Sequence, residues 1–308
     1  MSNISTAARV GLDGMNPVAQ RYGLGSLIDA CGGVTEGNSY YVDGNVQFNG
    51  DGTSWDSPYS TLTEALAASH ANIADSIQRG WAWRNKIYVK GDDLVEDLDL
   101  IAQKTDIIGV GSSDPYAMPC VRGNHVPANA AGGCRFINIR FRPTASEDLW
   151  ILGTTTMGIE FLGCLFDAHY STFTAPSAID TTACQAVRIE GNEFLGAFSA
   201  GVIDIGAGRA DKLLIKNNII RGGASHGIIC TGTPTTVQGR NIIIDKNLVQ
   251  VAGKTIDDAA TAIVFVTDNR CISAAALGAN SHVITAATAA GNIVTGNDNT
   301  LDVPIKAV

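Results

Sequence analysis

Across residues 134–299 the chain alternates apolar and polar residues in short runs. Each run is broken by a turn and followed by one more apolar position. Four runs align, at 158–167, 186–195, 212–221 and 241–250. Alternation of period two predicts strands with one buried face. The inward positions are Ile159, Val187, Leu213 and Ile242, then Phe161, Ile189, Ile215 and Ile244. Phe166, Phe194, Ile220 and Val249 follow the turn. The turn itself holds Cys164, Asn192, Asn218 and Asn247, spaced by 28, 26 and 29 residues. Irregular spacing of a regular unit predicts stacked coils of short strands whose turns absorb insertions. Looser coils are expected around 135–142 and 291–296, and a second strand family at 178–181, 202–205, 227–230 and 262–265. The predicted fold is all-β: a right-handed, single-stranded parallel β-helix.

The asparagine column has a structural reading. Asparagine tolerates the left-handed backbone of a turn and bonds to backbone groups. Stacked coil upon coil, Asn192, Asn218 and Asn247 form a ladder in which each amide donates to the next.

Upstream, the periodicity changes. A strand at 40–42 leads into a Gly/Asp/Asn-rich loop ending at Thr61-Leu-Thr-Glu64, a capping box. Leu62, Leu66, Ile73 and Ile77 then recur at helical spacing and predict a helix over about 61–80. Strands follow at 86–90 and 106–109. A solenoid end exposes core side chains and a strand edge, and this helix is the candidate to cover it. The organisation read from the sequence is an arm at 1–35, a β-helix domain at 36–300 and a tail at 301–308. The arm is Gly-rich and without periodicity, and is expected to be an attachment segment or a plain extension.

The order YVDG, GDGTSWDSPYSTLTEAL, IYVKG and DIIGVG over residues 39–111 resembles the opening of pectate-lyase-like β-helix proteins. The stretch at 52–62 is its most specific part. The resemblance implies the solenoid and its capping helix. It leaves activity open, because that superfamily includes lyases, hydrolases, epimerases and phage structural proteins.

Composition narrows the partners. The 308 residues carry a formal net charge of -9, which disfavours a nucleic-acid partner. No run of ~18 apolar residues predicts a membrane span. The first residues lack the basic-then-apolar order of a signal peptide. None of the seven cysteines forms a CxxC pair, so no zinc site is expected; no motif for another cofactor stands out. They read as reduced core residues.

Outward columns report on partners and chemistry. Leu214 and Ile243 fall in one column, Ile219 and Leu248 in another, giving the later coils an apolar stripe. Such a stripe implies cover by a loop, a second copy or another protein. Side-by-side association as a homotrimer is the expectation.

For catalysis the candidates are Asp180 and Asp204, at the same outward place in consecutive coils, with His226 nearby. Neighbouring strands lie ~4.8 Å apart, close to the carboxyl spacing of a retaining glycosidase. The polygalacturonase-like order of motifs is absent, and the sequence places no basic residue beside the aspartates. The coils offer only Tyr170 and mostly inward Phe residues as aromatics. His70, His125, His169 and His282 read as surface or satisfied residues. The loop with Asp43, Asn45, Asp51 and Asp56 carries oxygen ligands for calcium without EF-hand spacing, and reads first as a turn-rich loop.

The resulting expectation is a non-enzymatic phage protein. It would be made in the host cytoplasm and carried on the virion, bound to a capsid or other virion protein. The alternatives are a tailspike-like polysaccharide depolymerase and an adhesin for host surface glycans.

Overall fold

The computed structural model describes residues 37–74, 83–91, 93–111, 115–128, 131–153, 156–169, 172–181, 184–206, 212–223, 226–230, 242–258, 264–273, 293–295 and 298–299. They form an all-parallel β-solenoid. Sheet one has ten strands, running from Ser39–Asp43 through Asn85–Lys90, Thr105–Gly109, Arg135–Ile137, Glu160–Leu162, Arg188–Glu190, Leu213–Lys216, Ile242–Asp245 and Val264–Thr267 to Ile293–Thr295. Sheet two has nine strands, from Leu94–Val95 to Asp298–Asn299. Sheet three stacks Ile179–Asp180, Gly201–Ile205, His226–Cys230 and Lys254–Asp258. The coils therefore begin with the strand at 39–43, well before residue 134.

Register follows the sequence alignment. Phe161, Ile189, Ile215 and Ile244 stand in line, as do Phe166, Phe194, Ile220 and Val249. All eight are buried. In the earlier coils the core is aromatic. Phe136 stacks on Phe161 at 5.5 Å, Phe166 on Phe194 at 4.6 Å, and Trp150 packs edge-on against Phe136, Phe141 and Phe161. Each ring removes a large apolar area from water, and the edge and offset contacts add to that.

One strand assignment is corrected. The fourth member of sheet three is Lys254–Asp258, in register with His226–Cys230. Val264–Thr267 instead belongs to sheet one, beside Ile242–Asp245. Val264 and Val266 point inward, and Asn269 then occupies the turn. Asn269 adds a rung the sequence alignment missed, because this coil is only 22 residues long between Asn247 and Asn269.

The ladder turns the chain from sheet one to sheet two. The Asn192, Asn218 and Asn247 Nδ2 groups donate to the next asparagine's Oδ1 at 2.9–3.0 Å. Each also donates to a backbone carbonyl of the preceding coil, those of Phe161, Ile189 and Ile215. Buried amides are thereby satisfied at a corner where strand pairing lapses.

The helix spans Leu62–Ala74, and its predicted continuation to 80 lies outside the described residues. Thr61 caps it: Glu64 N donates to Thr61 Oγ1 at 3.3 Å, and the Thr61 hydroxyl, in place of the backbone N–H of a full capping box, donates to Glu64 Oε2 at 2.9 Å. Glu96, from a later coil, adds a second cap by accepting from Leu62 N and Thr63 N at 2.7 Å each. A carboxylate there also complements the helix dipole. Leu62, Ala65 and Leu66 are buried in the core beside Val42 and Ile87. The arm at 1–35 and the tail at 301–308 lie outside the described residues.

Candidate functional site

Parallel pleating puts same-face residues of successive coils in line. On sheet three this lines up Ile151, Asp180, Asp204, Ile229 and Asp257. Asp180 and Asp204 are thus direct neighbours, as the sequence predicts. Asp204 Oδ1 is buried and has no hydrogen-bond partner among the described residues. Burial first, then the charges of Asp180 and Asp148, push the Asp204 carboxyl up to about 6, while His226 pulls it down. Asp148 accepts a hydrogen bond from Ser177 N at 2.7 Å, yet burial raises its pKa as well.

His226 sits in register with Gly201 and Lys254. Its Nε2 lies 3.4 Å from Asp257 Oδ2, and Lys254 Nζ lies 3.1 Å from the same oxygen. Lys254 thus stands beside Asp257, two strands along the row from Asp204, and not beside Asp180 or Asp204. Lys254 and Asp257 lie in the strand at 254–258, which the alternation pattern passes over because Ile256 is its one strongly apolar member. Asp148, a loop residue, carries no sequence signal.

This row pairs a carboxyl that exchanges its proton near pH 6 with a second carboxylate one strand away. That is the raw material of acid–base chemistry. Grooves of about 570 and 370 Å³ lie elsewhere on the described surface, and Asp180, Asp204 and His226 are not among their lining residues.

The apolar rows are present. Leu214, Ile243 and Phe265 align on sheet one, with Ile293 continuing the register, and Ile219 and Leu248 align on sheet two. Leu214, Ile243, Phe265, Ile219 and Leu248 are each half-buried. In earlier coils the first column holds Arg135, Glu160 and Arg188. The corner between the rows is polar: Lys216 pairs with Asp245 at 3.3 Å, and Thr267 Oγ1 donates to Asp245 Oδ1 at 2.8 Å.

Other candidates resolve individually. Asp43 is tied to Lys90 at 3.0 Å, and Asp51 accepts from Thr53 N at 3.0 Å. Those two loop carboxylates thus have partners within the chain. Six cysteines are buried, and Cys31 lies outside the described residues. His125 is fully buried rather than at the surface, its Nδ1 accepting from Leu98 N at 3.2 Å. Tyr170 and His282 lie outside the described residues.

The 570 Å³ groove is new. It runs along the far ends of the sheet-two strands and is lined by Tyr116, His169, Phe173 and Arg221 over a floor that includes Gly196 and Gly222. Tyr116 and Phe173 are 52% and 38% exposed. The coils therefore carry exposed aromatics after all. Both come from connecting segments, where no periodic pattern marks which way a ring points.

Comparison of the chain with protein-family models, with curated proteins and with solved structures finds no match in any of the three.

Proposed function

We propose that this protein is a non-enzymatic structural component of a virion. In this reading it is a right-handed β-helix that stands side by side with two further copies, held to the capsid by residues 1–35. The observation that carries the reading is the pair of apolar rows, Leu214–Ile243–Phe265 on sheet one and Ile219–Leu248 on sheet two. The rows flank one corner of the solenoid. In a cyclic assembly about an axis parallel to the solenoid, each copy gives one row to each neighbour, and the contacts close. The handedness follows the strong preference of parallel β connections. The helix at 62–74 is the amino-terminal cap. The virion setting rests on the likeness of residues 39–111 to a superfamily that includes phage structural proteins.

The test is the mass of the full chain by light scattering, before and after the double substitution Leu214→Glu and Ile243→Glu. A trimer that becomes a folded monomer supports the reading. A wild-type monomer sinks it. Antibody labelling of purified particles then reports the position on the virion.

A second reading, polysaccharide cleavage or lysis at Asp180, Asp204 and His226, is favoured by the raised pKa and orphan oxygen of Asp204. It requires release of reducing or unsaturated sugar from a glycan panel, and loss of that release in Asp204→Asn.

A further inference from the structure

The 570 Å³ groove on sheet two has a chemistry of its own. Its size falls within the ~300–1,000 Å³ of small-molecule sites. Tyr116 and Phe173 line it and are both exposed in part, at 52% and 38%. The floor follows the column Ala168, Gly196 and Gly222. It is kept bare by geometry: a Cβ on Gly222 would stand 1.9 Å from the Gly196 carbonyl oxygen, and Gly196 itself has φ +115°. A floor with the two glycines Gly196 and Gly222, lined also by two aromatic rings, suits a ligand that presents C–H faces and edge hydroxyls.

Charge sets the class further. The chain carries a formal charge of -9, yet among the described residues no carboxylate lines this groove, whereas His169 and Arg221 do. Among the described residues Arg221 pairs with Glu193, at 3.6 Å, a contact weak enough to exchange for a ligand acid. Tyr116 is steadied from below. The Arg140 guanidinium lies 5.3 Å from its ring centroid, and Arg140 is held in turn by the fully buried Asp167. A planar guanidinium matches a carboxylate in two-point geometry.

We propose that this groove binds an acidic oligosaccharide, with Tyr116 and Phe173 as stacking platforms and Arg221 receiving the carboxylate. On this strand Gly222 lies three residues beyond Ile219, about 10 Å, and Arg221 lies two beyond it on the same face.

The experiment is calorimetry on the full chain with 3′-sialyllactose and lactose, backed by an array of acidic and neutral oligosaccharides. The acidic sugar is expected to bind at least tenfold more tightly than the neutral one. Phe173→Ala is expected to weaken both about tenfold, and Arg221→Gln to abolish the preference for the acid. Circular dichroism controls for folding, and Asp204→Asn, away from the groove, is expected to bind as wild type. Absence of binding to every acidic sugar on the array overturns the proposal. So does binding that Phe173→Ala and Arg221→Gln leave unchanged, because the site is then elsewhere.

Discussion

Asn192 gives both its side-chain and its backbone N–H to a single oxygen, Asn218 Oδ1, at 3.0 and 2.9 Å. Asn218 repeats the pattern onto Asn247, and Asn247 onto Asn269. Asn192, Asn218 and Asn247 are each acceptor to the coil before and donor to the coil after. Asn218→Ala removes one acceptor and strands two buried donors of Asn192, and it also frees the Ile189 carbonyl that Asn218 Nδ2 satisfies. Leaving such groups unpaired costs ~1–3 kcal/mol each at most, with partial relief by water. The expected loss is about 2–4 kcal/mol in urea unfolding. A change below ~0.5 kcal/mol would mean that the ladder is ornament to the stack.

Asp204 makes stability fall as pH rises. Its carboxyl is raised in the fold to about 6, against 3.8 for the free group. The folded chain therefore binds more protons than the unfolded chain between those values. Its contribution is neutral below the lower one and becomes a penalty that is complete above the upper one. The group is half-buried, so partial screening reduces the penalty to about 1 kcal/mol. Asp204→Asn should match wild type near pH 3 and exceed it by about that amount at pH 8. Paired denaturation curves at the two pH values check it. A gain that is equal at both would remove the titration from the account.

Burial also silences the thiols. Cys120, Cys164 and Cys184 are each pushed up to about 12 by desolvation, and Cys134 is raised in the same way. A thiol held protonated is a poor nucleophile, and a buried one is out of reach. In a Cys31→Ser chain at pH 8, a disulfide reagent should titrate no thiol in the folded state and six in guanidinium. Rapid titration of any thiol before unfolding would show a coil open to solvent.

The inward columns were legible because buried alternation writes strand, face and register at once. Phe161, Ile189, Ile215 and Ile244 needed nothing beyond the sequence to be aligned. The strand at 254–258 was not legible, because Ile256 alone carries its apolar signal and backbone pairing to 226–230 defines the rest. Asn269 was missed for a related reason: the coil before it is short, so an alignment on longer spacings steps past it. The aspartates 180 and 204 were found because they follow an inward isoleucine in each coil. Asp148, whose charge acts on Asp204, and Asp257, which continues the row with Lys254 beside it, come from segments with no matching pattern. Tyr116 and Phe173 stand in connections, where ring direction is set by what lies beneath and not by period.

The turn entering sheet one supplies the last test. It places Lys104, Gly133, Gly158, Ala186 and Lys212 at successive coils, all with φ between 46° and 72°. Gly133 and Gly158 adopt that backbone without a Cβ clash. Ala186, at φ 54°, does not, and a left-handed L-residue costs ~1–2 kcal/mol locally. Ala186 is exposed, so its methyl contributes no core packing to offset this. Glycine in its place relieves the strain but gives the unfolded chain more freedom. The balance favours Ala186→Gly by about 0.5–1 kcal/mol, visible as a higher urea midpoint at unchanged slope. The same substitution at the inward neighbour, Val187→Gly, should destabilise strongly, because that side chain is 1% exposed in the core. If Ala186→Gly lowers the midpoint instead, the turn is held by its neighbours tightly enough that the lost chain entropy outweighs the relief.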